Sequence, residues 1–125
     1  MPHITLECSK NVKIDAKAFF DELCHQLTET GHAPKLGMKC RMVKSKQFYI
    51  IDGNPDYKMV NLLYRLREGR SEEVLINFSE IGMSLLEKYL QKDCEETNII
   101  ISTEIKELKK GIDLNKNYIR KKFEK

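Results

Sequence analysis

The stretch Tyr57-Lys58-Met59-Val60-Asn61-Leu62-Leu63-Tyr64-Arg65-Leu66-Arg67-Glu68-Gly69-Arg70-Ser71-Glu72-Glu73 changes its hydrophobic period once, and that change decides the fold. Up to Arg67, the residues Val60, Leu62, Tyr64 and Leu66 alternate with Met59, Asn61, Leu63 and Arg65. Period two predicts a strand. Glu68-Gly69-Arg70-Ser71 closes it. Ser71 is placed to cap a helix, and Glu72 and Glu73 sit in a first turn where the helix dipole favours acids. Val74, Leu75, Phe78, Ile81, Leu85, Leu86, Tyr89 and Leu90 then recur at three and four, which predicts a helix of roughly six turns. A last strand is expected near 97–108.

The first half of the chain repeats this order. Ile4, Leu6 and Cys8 alternate with Thr5 and Glu7. Asp15 is an N-cap candidate for an amphipathic helix through Phe19, Phe20, Leu23, Cys24 and Leu27. Gly31 is placed to end it, with Pro34 beyond. Met38, Cys40 and Met42 alternate with Lys39 and Arg41, so a second strand carries two cations on one face. Gln47–Ile51 is expected to continue as β-type sequence. Asp52-Gly53-Asn54-Pro55-Asp56 is a turn cluster.

Strand, helix, strand thus occurs twice. Each βαβ unit calls for parallel strands joined by a crossover. The predicted class is α+β, with two βαβ repeats forming a four-stranded sheet with two helices on one face. One domain, 1–125, is expected, with halves of about 2–51 and 57–110. An extension over 111–125 is expected to hold one short helix from Leu114. The other sheet face would be bare, with apolar residues such as Met59 and Leu63 on it. Such a face predicts burial against further copies of the chain.

Composition narrows the function classes. The 22 Lys+Arg against 19 Asp+Glu leave +3, too small an excess to argue for nucleic acid. The longest apolar run, Phe48-Tyr49-Ile50-Ile51, is far short of the ~20 residues a membrane helix needs. No basic region followed by an apolar stretch opens the chain, so a cytoplasmic protein with reduced thiols is expected. The four cysteines at 8, 24, 40 and 94 form no C-x-x-C pair and have no histidine at zinc-ligand spacing. They read as small core residues.

Pro2 is the first candidate for chemistry. Removal of Met1 would leave a proline whose nitrogen is a free secondary amine, and a free α-amino group has a reference pKa of ~7.7–8.0. Burial and neighbouring cations both lower such a value. A base poised near neutrality suits proton abstraction beside a carbonyl. Proline makes up about 5% of average sequence, so its position alone argues little. The strand that starts at once behind it argues more, because an anchored terminus can be a precise catalytic group. Lys39 and Arg41 on one strand face, and Arg70 just after a strand, are candidates to hold a carboxylate and stabilise an enolate oxygen. Against them stands the ordinary reading of a solvated basic surface. His3 follows Pro2, but alternation points it to the other side, where a structural hydrogen bond is its expected use.

The start Met1-Pro2-His3-Ile4-Thr5-Leu6-Glu7-Cys8-Ser9 resembles that of the 5-carboxymethyl-2-hydroxymuconate isomerase family of the tautomerase superfamily. The resemblance continues through Thr30-Gly31, Pro34, Gly37-Met38-Lys39-Cys40-Arg41, Asp52-Gly53, Asp56-Tyr57 and Gly69-Arg70-Ser71. It ends with Ser102-Thr103-Glu104-Ile105-Lys106-Glu107-Leu108. It implies two βαβ repeats and a homotrimer with sheets facing inward. It implies Pro2 as general base after Met1 removal, Arg70 among the substrate-binding residues, and no metal or organic cofactor. The implied substrate is a small carboxylate, 5-carboxymethyl-2-hydroxymuconate, in bacterial breakdown of 4-hydroxyphenylacetate. The family pattern has Arg where this chain has Lys39. Lysine keeps the charge but loses the planar fork, so either Arg41 takes over or the substrate differs.

Two other readings compete. One is a diverged tautomerase acting on another 2-hydroxydienoate or keto-enol substrate. The other is a non-catalytic α+β binding module. Phe48 and Tyr49 are adjacent and so point to opposite faces, unlike the stacked aromatics of an RNA-binding sheet. The basic tail Ile119-Arg120-Lys121-Lys122-Phe123 reads as a solvated end. Neither nucleic acid nor membrane is expected as a partner.

Overall fold

The computed structural model describes residues 2–124. The expected removal of Met1 concerns a residue outside them. The elements are β1 (His3–Ser9), α1 (Ala16–Glu29), a 3-10 turn (Lys35–Gly37), β2 (Lys39–Ser45), β3 (Lys58–Arg67), α2 (Glu72–Tyr89), α3 (Gln91–Glu95), β4 (Ile99–Leu108) and a second 3-10 turn (Ile119–Phe123). The sheet order is β2-β1-β3-β4. β1 runs parallel to β2, β3 runs parallel to β4, and the two pairs meet antiparallel at β1 and β3. Each half is therefore a parallel βαβ unit, as its hydrophobic pattern predicts.

The helix starts follow from their caps. Asp15 Oδ1 accepts from the Ala18 N–H at 3.1 Å and Ser71 Oγ from the Val74 N–H at 3.3 Å. Replacing such a cap by Ala typically costs about 1 kcal/mol. Gly31, at φ +80°, turns the chain out of α1 in the left-handed region that glycine adopts without strain. Ile4, Leu6, Val60, Leu62, Tyr64 and Leu66 fill one sheet face, sealed by Phe19, Leu23 and Leu27 of α1 and by Phe78, Leu85 and Leu86 of α2. Each fully buried side chain of this size contributes ~1.5–3 kcal/mol relative to exposure. Ser9, itself fully buried, ties the two halves together. Its Oγ accepts from the Met59 N–H at 3.0 Å and donates to Asn11 Oδ1 at 2.7 Å. Asn11 Nδ2 in turn donates to the Tyr57 carbonyl at 2.8 Å.

Three local expectations need correction. Gln47–Ile51 is loop, not strand. β2 stops where β1 stops, at the Ser9–Ser45 pair, so a longer β2 would find no ladder partner. Ile51 takes φ +55°, and the Gly53 N–H closes a turn onto the Ile50 carbonyl at 2.9 Å. The second long helix ends at Tyr89. Leu90 has φ −115°, and the chain resumes as the single turn α3. The tail's one short helix is of 3-10 type and covers only Ile119–Phe123 of the expected stretch.

Candidate active site

The edge where β1 and β2 begin gathers most of the expected site. Pro2 is buried. Its carbonyl accepts from the Lys39 N–H at 3.1 Å, which locks the start of β1 to the start of β2. Strand register does the rest. Lys39 lies opposite His3, His3 opposite Arg65 and Arg65 opposite Lys106, so four basic residues form one row across the sheet on the face the helices leave open. Arg41 stands in the next row on that face, beside Thr5, which lies opposite Leu63.

The electrostatics of this row follow from crowding. Lys39 Nζ donates to the Gly37 carbonyl at 3.2 Å. Partial burial, and then the Arg41 charge, hold its pKa below the usual lysine range. Arg41 Nη2 lies 3.3 Å from His3 Nδ1. A guanidinium only donates, so His3 Nδ1 is the unprotonated acceptor there. Burial, and then Lys39, Arg65 and Arg41, push the His3 pKa down. The predicted structural hydrogen bond of His3 is this one. The Nε of Arg65 is buried without a hydrogen-bond partner among the described residues.

Arg70 is placed differently. Its Nε donates to the His32 carbonyl at 2.9 Å and its Nη1 to the Arg67 carbonyl at 3.1 Å. Its guanidinium carbon lies 5.8 Å from the Phe78 ring centroid. Burial lowers its pKa, partly offset by Glu107. The structure thus sets Lys39 beside Pro2 through the backbone bond, with His3 and Arg41 in contact next to them, and holds Arg70 in the β3–α2 connection against the His32 carbonyl of the loop that follows α1.

Two clefts bracket the sheet. One, of about 320 Å³, lies beside Lys39 and Leu36, with tail residues Asn115–Ile119 as its other wall. Asn117 Nδ2 fastens that wall by donating to the Leu36 carbonyl at 2.8 Å. The other, of about 300 Å³, is apolar and lined by Tyr49, Ile51, Met59 and Ile100 with Glu7 at its margin. A lone carboxylate there disfavours an anionic substrate, whereas the first cleft carries Lys39 and Lys116. Sequence reasoning missed Arg65 and the tail wall. Arg65 was visible as a cation of the open-face set on β3, but its register with His3 was not.

A model of the 5-carboxymethyl-2-hydroxymuconate isomerase family matches residues 2–123. The chain belongs to that family. The 5-carboxymethyl-2-hydroxymuconate Delta-isomerase of Escherichia coli is 27% identical over 125 residues, covering 98% of this chain and 99% of that protein. The fold matches the crystal structure of a 5-carboxymethyl-2-hydroxymuconate isomerase from Deinococcus radiodurans R1 with a TM-score of 0.89 at 24% identity, over 99% of this chain and 95% of that one. A fused 4-OT symmetric trimer matches at 0.70 and 14% identity, over 91% and 93%. These neighbours bear out the α+β tautomerase-like class and the family resemblance read from the sequence. Among the described residues, no cluster of three or more His, Cys, Asp and Glu is arranged to hold a metal ion. Among the described residues, no helix is long and apolar enough to cross a membrane.

Proposed function

We propose that this isomerase moves a proton within a 2-hydroxymuconate-type dienol acid, with 5-carboxymethyl-2-hydroxymuconate as substrate and Pro2 as the base once Met1 is removed. The observation that carries the reading is the Pro2–Lys39 hydrogen bond, which seats a buried proline against the start of a cation-bearing strand. The unprotonated Pro2 nitrogen takes a proton from the substrate enol or from the carbon conjugated to it. A dienolate forms. The protonated Pro2 returns the proton farther along the conjugated system, so no proton is gained or lost overall. The chemistry calls for one amine and fixed cations, with no electron transfer.

Lys39 and Arg41 hold the substrate carboxylates in this account and lower the energy of the dienolate oxygen. Arg70 joins through the part of its guanidinium not engaged by the His32 and Arg67 carbonyls. The open sheet face, with Val43, Met59, Leu63 and Ile100 on it, packs against two further copies in a homotrimer. Support for that comes from the exposure of Val43 and Ile100 and from the trimeric neighbour of the same fold. We place the enzyme in the cytoplasm, acting without a cofactor.

The test is a UV assay of 5-carboxymethyl-2-hydroxymuconate isomerisation by protein whose intact mass shows Met1 removed. Conversion supports the substrate. Conversion only of simpler 2-hydroxydienoates or of phenylpyruvate transfers the assignment to the diverged-tautomerase reading. No conversion of any of them favours the binding module.

A further inference from the structure

Cys24 and Cys40 belong to different elements, α1 and β2, yet their Sγ atoms lie 3.4 Å apart. Both are free and half-buried. A disulfide needs an S–S distance of about 2.04 Å, so roughly 1.4 Å of approach separates the two states. Cys40 is also the residue between Lys39 and Arg41, and it lies opposite Ile4. A bond from Cys40 to Cys24 would pin to α1 the strand that carries both cations. The other two cysteines have no such partner among the described residues.

We propose that Cys24 and Cys40 are a redox modification site, closed to a reversible disulfide by small-molecule disulfides of the oxidised-glutathione class. Either sulfur can donate in this contact; with Cys40 donating, the Cys24 thiol falls below its ordinary pKa and Cys40 rises. Cys24 is therefore the attacking sulfur. Its thiolate attacks one sulfur of the small disulfide, the S–S bond breaks, and the first small thiol leaves with a proton. Cys24 now carries a mixed disulfide. Cys40 then loses its proton and attacks the Cys24 sulfur, and the second small thiol departs. Two protein thiols and one small disulfide become one protein disulfide and two small thiols. Competition is weak, because burial pushes Cys8 up to about 11 and burial, then Glu87, Asp93 and Glu95, raise Cys94.

The test treats reduced full-length protein with oxidised glutathione and reads intact mass, free thiols and a non-reducing peptide map. The expected product has lost two hydrogens and two of its four titratable thiols, joins the Cys24 and Cys40 peptides, and reverts with dithiothreitol. Cys40→Ser should stall as a glutathione adduct on Cys24, and Cys24→Ser should collect far less adduct on Cys40. Four thiols still titrating, a cross-link through Cys8 or Cys94, or a Cys40→Ser protein without adduct would each overturn the proposal. None of these readouts depends on isomerase activity.

Discussion

The Lys39 N–H donates to the Pro2 carbonyl at 3.1 Å, so the same two residues that carry the proposed chemistry also start the parallel pairing of β1 and β2. The backbone half of this relationship survives any side-chain change at Lys39. Substitutions there therefore test the charge without unseating Pro2. Lys39→Ala should lower kcat/KM by roughly tenfold to a hundredfold, the worth of one charge-assisted hydrogen bond, mainly through KM. Lys39→Arg should keep or raise kcat/KM, because the planar fork suits a carboxylate. Steady-state kinetics on both variants check this, with thermal melting to confirm an unchanged fold.

Arg70 has a structural duty as well as its proposed substrate contact. Arg70→Ala removes donors from the His32 and Arg67 carbonyls and the cation over Phe78. The expected stability loss is about 1–3 kcal/mol, with activity falling as well. Arg70→Lys should recover part of the activity and little of the stability, since an ammonium cannot bond both carbonyls in the same fork geometry. Urea melts and kinetics on the same preparations separate the two effects.

Gly82 faces the sheet where α2 passes over Tyr64 and Leu62, and a Cβ there would collide with the Tyr64 hydroxyl. That hydroxyl donates to the Phe78 carbonyl at 2.9 Å inside the core. Gly82→Ala should gain up to about 1 kcal/mol of helix propensity and still destabilise on balance, because overpacking costs ~1–3 kcal/mol against a buried hydroxyl that cannot yield. Tyr64→Phe should cost about 1 kcal/mol, and in the Tyr64→Phe background the Gly82→Ala penalty should shrink. A double-mutant cycle in denaturant measures the coupling.

His3 gives a pH signature. Its folded pKa lies below the ordinary 6.5, through burial first and then the Lys39, Arg65 and Arg41 charges. The unfolded chain therefore binds the His3 proton more readily than the folded one. The His3 contribution to stability is present above about pH 6.5 and is lost as pH falls through the lower folded value. His3→Gln should flatten the stability curve just below pH 6.5. NMR titration of the His3 ring should show a midpoint below the ordinary 6.5.

The fold was legible wherever one residue type decided a local event. Asp15, Ser71 and Gly31 announced the helix ends, and the two-residue alternation in 3–9 and 58–67 announced the strands, because one face of each had to be buried. Gln47–Ile51 misled. Its composition suits a strand, but strand length is set by the partner, and β1 ends at Ser9. Leu90 continued the apolar stripe of α2 because it is buried in either backbone conformation, so hydrophobicity carried no signal of the break. At the site, Lys39 and Arg41 were readable as a pair because both lie on one strand. The row Lys39–His3–Arg65–Lys106 was not, since it depends on register among four strands. The bond of Arg70 to the His32 carbonyl depends on how the loop after α1 returns to the sheet edge, and no local pattern encodes that.

The Pro2 nitrogen is the proposed base. The measurement closest to it compares two chains in the same isomerisation assay. One begins at Pro2, proven by intact mass. The other carries an alanine inserted ahead of Pro2, which keeps the proline ring in sequence but turns its nitrogen into an amide. The first chain should convert substrate on a pH profile whose acid limb reports an amine near or below ~7.7–8.0, and the second should lose roughly a thousandfold in kcat. Full activity in the alanine-extended chain would contradict Pro2 as the base.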